Sequence, residues 1–178
     1  MTIEKEVEQA SQTIQDLIRR LNNSTFNAYY HRVMLFNYKG GNKLGRAFLT
    51  KEEIAQELNM VQEEFLELIK AFGNQKKVKE NGETKWVPCE PDEARVEIAD
   101  AIGDIIYVLL GTSAKLGIDI GLVLDEIASS NETKYNDKGD LVKVDGKIQK
   151  GPNFRAPDLS FTKEPLNFEA FLNEENKG

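Results

Sequence analysis

Apolar positions along this 178-residue chain recur with the 3.6-residue period of helices far more than with the alternation of strands. Ile3, Val7, Ile14, Leu17, Ile18 and Leu21 predict an amphipathic helix over 3–22, ended by Asn22-Asn23-Ser24. Residues 25–49 carry Phe26, Tyr29, Tyr30, Phe36 and Tyr38 ahead of a Gly-Gly-Asn turn, and suit a short helix around 26–36. Thr50 with Glu53 is a capping-box pair. It opens a helix over 51–72 with Ile54, Leu58, Val61, Phe65, Leu68, Ile69 and Phe72 on one face. Asn81-Gly82 between strand-like arms predicts a hairpin inserted at about 74–90. Pro91 then starts a helix over about 91–116, Gly117 ends it, and Asp119 opens another over 119–131. The short connection predicts that these last two helices are antiparallel neighbours. Asp137-Lys138-Gly139 and Asp145-Gly146 are turn signals in a Lys-rich loop with short strand arms, and residues 160–178 read as an extended or partly helical tail. The expected fold is all-α, with a four-helix bundle-like core, short β-hairpin insertions and an extended C-terminal tail. One domain should cover 1–159.

Acidic residues break that apolar pattern in one place. The helix over 91–116 is apolar almost throughout from Val96 to Gly111, yet it holds Glu97, Asp100 and Asp104 with no basic residue among them. At 100° per residue these three fall within about 60° of one helix face, joined one turn earlier by Glu93. Like charges on a helix fit for burial repel and resist desolvation, and a multivalent cation relieves both. The helix over 51–72 carries Glu63-Glu64-Phe65-Leu66-Glu67, whose acids lie beside its apolar stripe. Two i, i+3 pairs on facing helices, Glu64/Glu67 and Glu97/Asp100, bring four carboxylates to one point, an oxygen cage suited to Mg²⁺ or Mn²⁺. Alone, E-E-x-x-E is a common solvated helix face, and the second group could instead pair with Lys or Arg from elsewhere. A di-iron centre would need Glu-x-x-His, and no histidine follows Glu64 or Glu97 at that spacing.

Charge and composition narrow the function further. A net charge of −7 argues against a nucleic-acid-coating surface, while a nucleotide can still bind if metal ions neutralise both parties. Cys89 and His31 are the single residues of their kinds, which excludes an intrachain disulfide and a cysteine-based zinc site. The uncharged apolar run from Ile105 to Ala114 is too short to span a bilayer. No membrane association and a cytoplasmic location are expected. A helix apolar around most of its circumference belongs in a core or across a subunit boundary, so a homodimer or dimer of dimers is expected.

Glu63-Glu64-x-x-Glu67, then Glu97-x-x-Asp100 with Asp104, resembles the all-α nucleoside triphosphate pyrophosphohydrolase superfamily. That group includes MazG, the dimeric dUTPases and phosphoribosyl-ATP pyrophosphohydrolase. The stretch EIADAIGDIIYVLLGTSAKLGIDI is similar to the family's third helix and the turn after it. Further on, SSNETKYNDKGDLVKVDGKIQKGPNFRAPDL is similar to the tail of the phosphoribosyl-ATP pyrophosphohydrolase-like branch. The likeness covers about 50–159. The loop at 73–90 is longer than usual for the family, and the first 50 residues lie outside the match.

The resemblance implies hydrolysis of a nucleoside triphosphate between the α and β phosphates, releasing a monophosphate and pyrophosphate. It implies two or three Mg²⁺ ions on Glu64, Glu67, Glu97 and Asp100. Glu63 would hold a further ion or orient the attacking water as a base, and Asp104 would either ligate or support a ligand. Asn131 and Lys134 share a face at the end of the last helix, and Lys134 is the first choice for a phosphate contact. The tail likeness adds Lys147, Lys150 and Arg155, in a substrate-covering loop over about 132–159. Narrower alternatives are an enzyme specific for dUTP, dCTP or phosphoribosyl-ATP. An alternative of another class is a noncatalytic helical scaffold with a structural cation. Among the aromatics, Phe26, Tyr29 and Tyr30 could stack on a base, although core packing suits at least two of them better.

Overall fold

A computed structural model describes residues 26–136 and 138–168. The helix expected over 3–22 lies outside the described residues. Within them the elements run α1 over 26–39, α2 (Lys51–Phe72), β1 (Gln75–Glu80), β2 (Glu83–Pro88), α3 (Pro91–Lys115) and α4 (Ile120–Glu132). Two short strands, β3 (Lys143–Val144) and β4 (Lys147–Ile148), and a 3₁₀ turn at Ser160–Lys163 follow. The architecture is a mostly α core with two small antiparallel hairpins.

Local chemistry explains most of the boundaries. Thr50 caps α2 through its hydroxyl, which accepts from the Glu53 amide at 3.2 Å, and Glu53 returns the bond to the Thr50 amide at 2.7 Å. Arg46 clamps the same carboxylate with two bonds of 2.5 and 2.6 Å. That bidentate pair holds the Glu53 carboxyl down at about 2. Asn81 and Gly82 both adopt positive φ, 53° and 86°, as a two-residue hairpin turn of this hand requires. Asp119 caps α4, its carboxylate accepting from the Leu122 amide at 3.1 Å.

Three parts of the chain meet at the C-terminal end of α3. Tyr30, Val33 and Met34 of α1 pack with Leu44, with Leu110 and Ala114 of α3, and with Phe168. The Tyr30 hydroxyl donates to the Ile118 carbonyl at 2.9 Å and accepts from Ser113 at 3.1 Å, and burial pushes its pKa up to about 12. Phe26 stacks on Tyr30 with ring centroids 6.5 Å apart, so these two aromatics serve the core while Tyr29 is exposed. Gly117, at φ 65°, accepts from the Leu166 amide at 2.9 Å, and a Cβ there would sit 2.8 Å from Pro165 and from Leu166. The last described residues therefore cross the α3–α4 turn and end with Phe168 in the core.

Two expectations change. The chain turns by 113° between α3 and α4, and the two helices have no extended packing, so they are not antiparallel neighbours. The long antiparallel partner of α3 is α2, joined to it by the β1–β2 hairpin. Moreover, α2 presents its apolar stripe outward: Ile54, Leu58, Phe65, Ile69 and Phe72 are exposed, while Glu57 and Ala71 are buried. On α3, Val96, Ile102, Ile106 and Leu109 are exposed as well. Among the described residues, no helix is long and apolar enough to cross a membrane.

Candidate functional site

The face that α2 turns toward α3 is acidic. Glu57, Glu64 and Glu67 recur at seven- and three-residue intervals, so they follow one another down the same side of the helix. At the far end Glu57 is 6% exposed and ion-paired with Lys115, and the Thr112 hydroxyl donates to it at 2.6 Å. That buried pair ties α2 to α3 and sets their register. Since α2 and α3 run in opposite directions, Glu64 then comes level with Asp104 and Glu67 with Asp100.

The hairpin supplies a cation where the sequence showed none. Lys77 of β1 bridges the two helices, its ammonium 2.5 Å from Glu67 Oε2 and 3.2 Å from Asp100 Oδ2. Burial opposes the charge on Lys77, but hydrogen bonds to Glu67 and Asp100 outweigh it and hold the ammonium above the ordinary lysine range. Lys77 lies opposite Trp86 in the hairpin register, 5.8 Å from that ring, and Lys70 of α2 stands 5.1 Å from it. Trp86 thus lies between Lys77 of the hairpin and Lys70 of α2. Next to Lys77, Lys76 pairs with Glu93, whose carboxylate also accepts from the Glu90 amide at 3.3 Å.

Glu64 stands apart from this pairing. Its Oε2 is shielded from solvent and has no hydrogen-bond partner. Burial raises its pKa first, and then the charges of Asp104, Glu67 and Asp100 add to the effect against the lowering influence of Lys77. Glu64, Glu67, Asp100 and Asp104 therefore share one electrostatic neighbourhood. Glu97 sits at its margin, close enough to Lys76 and Cys89 to affect their protonation, and Glu63 is exposed. Among the described residues, no three ligand-type side chains converge tightly enough to hold a metal ion as they stand. The donor set nevertheless fits a hard cation: it is all oxygen, it includes an unpartnered shielded carboxylate atom, and an ammonium already occupies a bridging position in it.

Beside the carboxylates, along the same helix pair, a cleft of about 210 Å³ opens between α1, α2 and α3. Its walls include Phe36, Asn37, Asn42, Gln56, Met60 and Tyr107. Met60 is one turn from Glu64 and Tyr107 is one turn from Asp104, so the cleft lies about one helical turn along the pair from those carboxylates.

The other sequence candidates lie elsewhere. Asn131 and Lys134 line a separate hollow of about 370 Å³ with Tyr135, Leu141 and Ile148. By helix rise and the 113° turn, Asn131 is roughly 20 Å from Asp104 in the same chain. Lys147 is exposed on β4, and Lys150 lies 4.5 Å from the Phe154 ring. Arg155 is engaged by Glu126, while its amide donates to Thr133 at 2.9 Å and its carbonyl accepts from Ser130 at 2.7 Å. It straps the loop to α4. Among the described residues, no hydrogen bond or ion pair joins these five to the carboxylates.

Residues 45–131 match the family model of phosphoribosyl-ATP pyrophosphohydrolase. The match spans α2, the hairpin, α3 and nearly all of α4, so both acidic motifs fall inside it. It supports a hydrolase of the nucleotide pyrophosphohydrolase type, with a nucleotide as substrate. No curated protein matches the chain. Lys77 and Glu57 are the residues that reading the sequence missed. The basic run Lys76-Lys77-x-Lys79 immediately after an acidic helix was the available signal for Lys77.

Proposed function

We propose that this protein is a Mg²⁺-dependent nucleoside triphosphate pyrophosphohydrolase that cleaves between the α and β phosphates. The observation that carries the reading is the cluster of Glu64, Glu67, Asp100 and Asp104 within the segment that matches that family. Glu64, Glu67, Glu97 and Asp100 would hold the ions, with Asp104 adding charge beside Glu64. When bound, such ions supply the positive charge that polarises the phosphoanhydride and eases departure of pyrophosphate. Glu64 Oε2, shielded and unpartnered, would take the proton of the attacking water. Glu63, on the exposed side, adds negative charge at the rim. The nucleoside enters the adjoining cleft, where the amides of Asn42 and Gln56 and the ring of Tyr107 offer base-edge and stacking contacts.

The outward apolar stripes of α2 and α3 support a homodimer, because exposed patches of this kind mark subunit contacts. In that assembly Asn131, Lys134, Lys147 and Lys150 of one copy serve the triphosphate held by its partner. Matching by a phosphoribosyl-ATP pyrophosphohydrolase model also favours a narrower reading, specificity for phosphoribosyl-ATP. One experiment tests both: the protein with Mg²⁺ and a panel of ribo- and deoxynucleoside triphosphates plus phosphoribosyl-ATP, with products resolved by ion exchange. Monophosphate and pyrophosphate are expected. Orthophosphate without pyrophosphate overturns the reaction, and no turnover on any member leaves the scaffold reading.

A further inference from the structure

Among the described residues, Lys77 is the basic side chain that bonds both acidic motifs at once. It arrives on β1, the first strand of the hairpin between α2 and α3, three residues after Asn74 closes α2. Its ammonium also lies 5.8 Å from the Trp86 ring, and its neighbour Lys76 is tied to Glu93. Two adjacent lysines thus pin the hairpin across both helices. Without Lys77, Glu67 and Asp100 would face each other, and the nearby Glu64 and Asp104, with no cation between them.

We propose that Lys77 is a resident cation that assembles the acidic site before metal arrives and is displaced from Glu67 and Asp100 when a divalent ion binds. The inference rests on the metal-site reading above and adds to it a competitor built into this chain. An ammonium 2.5 and 3.2 Å from two carboxylate oxygens takes lone pairs that a hard dication needs. Its charge also opposes a second cation at the same point. A lysine that merely braced the helices would have the opposite effect on removal, since loosened carboxylates bind metal less well.

The sign of one substitution separates these roles. Isothermal titration of the full chain with Mn²⁺ compares the wild type with Lys77→Met, which keeps the stem and removes the charge. Lys77→Met is expected to bind the first ion roughly tenfold more tightly, while its metal-free form melts at a lower temperature. Lys77→Arg, which restores the charge, is expected to return toward wild-type affinity. If Lys77→Met does not fold without metal, amine labelling of wild-type Lys77 read by mass spectrometry replaces it. Labelling of Lys77 should then rise when Mn²⁺ is added. Unchanged or weaker Mn²⁺ binding by a folded Lys77→Met, or Lys77 labelling that does not rise, overturns the proposal and leaves the metal site standing. Failure of the wild type and the variant to bind Mn²⁺ at all overturns the metal-site reading, and this one with it.

Discussion

The two faces of α2 carry opposite chemistry in an unusual arrangement. The outward face holds Ile54, Leu58, Phe65, Ile69 and Phe72, all exposed. The face against α3 holds Glu57, Glu64 and Glu67. In an ordinary amphipathic helix the apolar stripe packs on the core and the acids meet water. Here the chain uses its intramolecular contact to bring acids together, and its apolar stripe stays exposed. Each acid on the inner face has its own local solution. Glu57 is neutralised by Lys115, Glu67 by Lys77, and Glu64 keeps an oxygen without any partner. The contrast lies along a single helix: Glu57, buried with Lys115, is a brace, whereas the proposed working groups, Glu64 and Glu67, lie toward the other end of the same face.

Changes to the inner face at the site should have the largest effect. Glu64→Ala or Glu67→Ala is expected to lower kcat/KM for the preferred nucleotide by about a hundredfold or more. The metal-free melting temperature should hold in Glu64→Ala, because that change removes an unpaired buried charge. Steady-state kinetics beside calorimetry checks this. A Glu64 variant that keeps full activity would erase the distinction between brace and working group.

On the outer face, Phe65→Glu with Ile69→Glu should turn the expected dimer into a monomer, measured by light scattering on a sizing column. If the double variant assembles like the wild type, the apolar stripe is not the contact. Glu57→Ala probes the brace. It strands Lys115, whose side chain is 13% exposed, and should cost about 3 kcal/mol of unfolding free energy in a urea titration. Activity then falls only as far as the helix register loosens.

The pH dependence sharpens the same contrast at lower amplitude. The folded-state pKa of Glu64 is raised, so the native state binds that proton more tightly than the unfolded chain does. Its charge therefore costs stability at neutral pH, and the cost fades as pH falls through the raised value. Metal-free Glu64→Gln should melt higher than the wild type at pH 7, and the gap should narrow as pH falls through the raised value and vanish below the ordinary glutamate range. Glu53 is the reverse case and the smallest effect. Its carboxyl is depressed to about 2 by Arg46, so its contribution is present above the ordinary glutamate value and is lost as pH falls toward 2. Arg46→Ala should return the Glu53 titration, followed by NMR, toward the ordinary range with little change in melting.

Much of this molecule could be read without coordinates, for reasons that are local. Thr50 with Glu53, Asn81-Gly82, Pro91, Gly117 and Asp119 each mark a boundary through bonds made within a few residues, and the observed elements start or stop there. The Glu64/Glu67 and Glu97/Asp100 pairs were legible because helical period alone puts each pair on one face, whereas the structure sets Asp104 rather than Glu97 beside Glu64. What the period cannot say is which way a face points. The outward stripe of α2, the 113° turn before α4, and the separation of Lys134 and Arg155 from the acids all depend on contacts between distant segments.

Composition and spacing by themselves thus determined that the described chain is mostly helical, where most of its helices begin and end, and that acidic residues recur on one face of each of two helices. Tertiary structure decided that Lys77 stands between those pairs, that Glu57 is buried and paired, and that the apolar stripe faces away. The reason is one of range. Capping bonds and helical period act over a few residues, whereas the partner of a charge and the cover of an apolar face are settled by which remote surfaces meet.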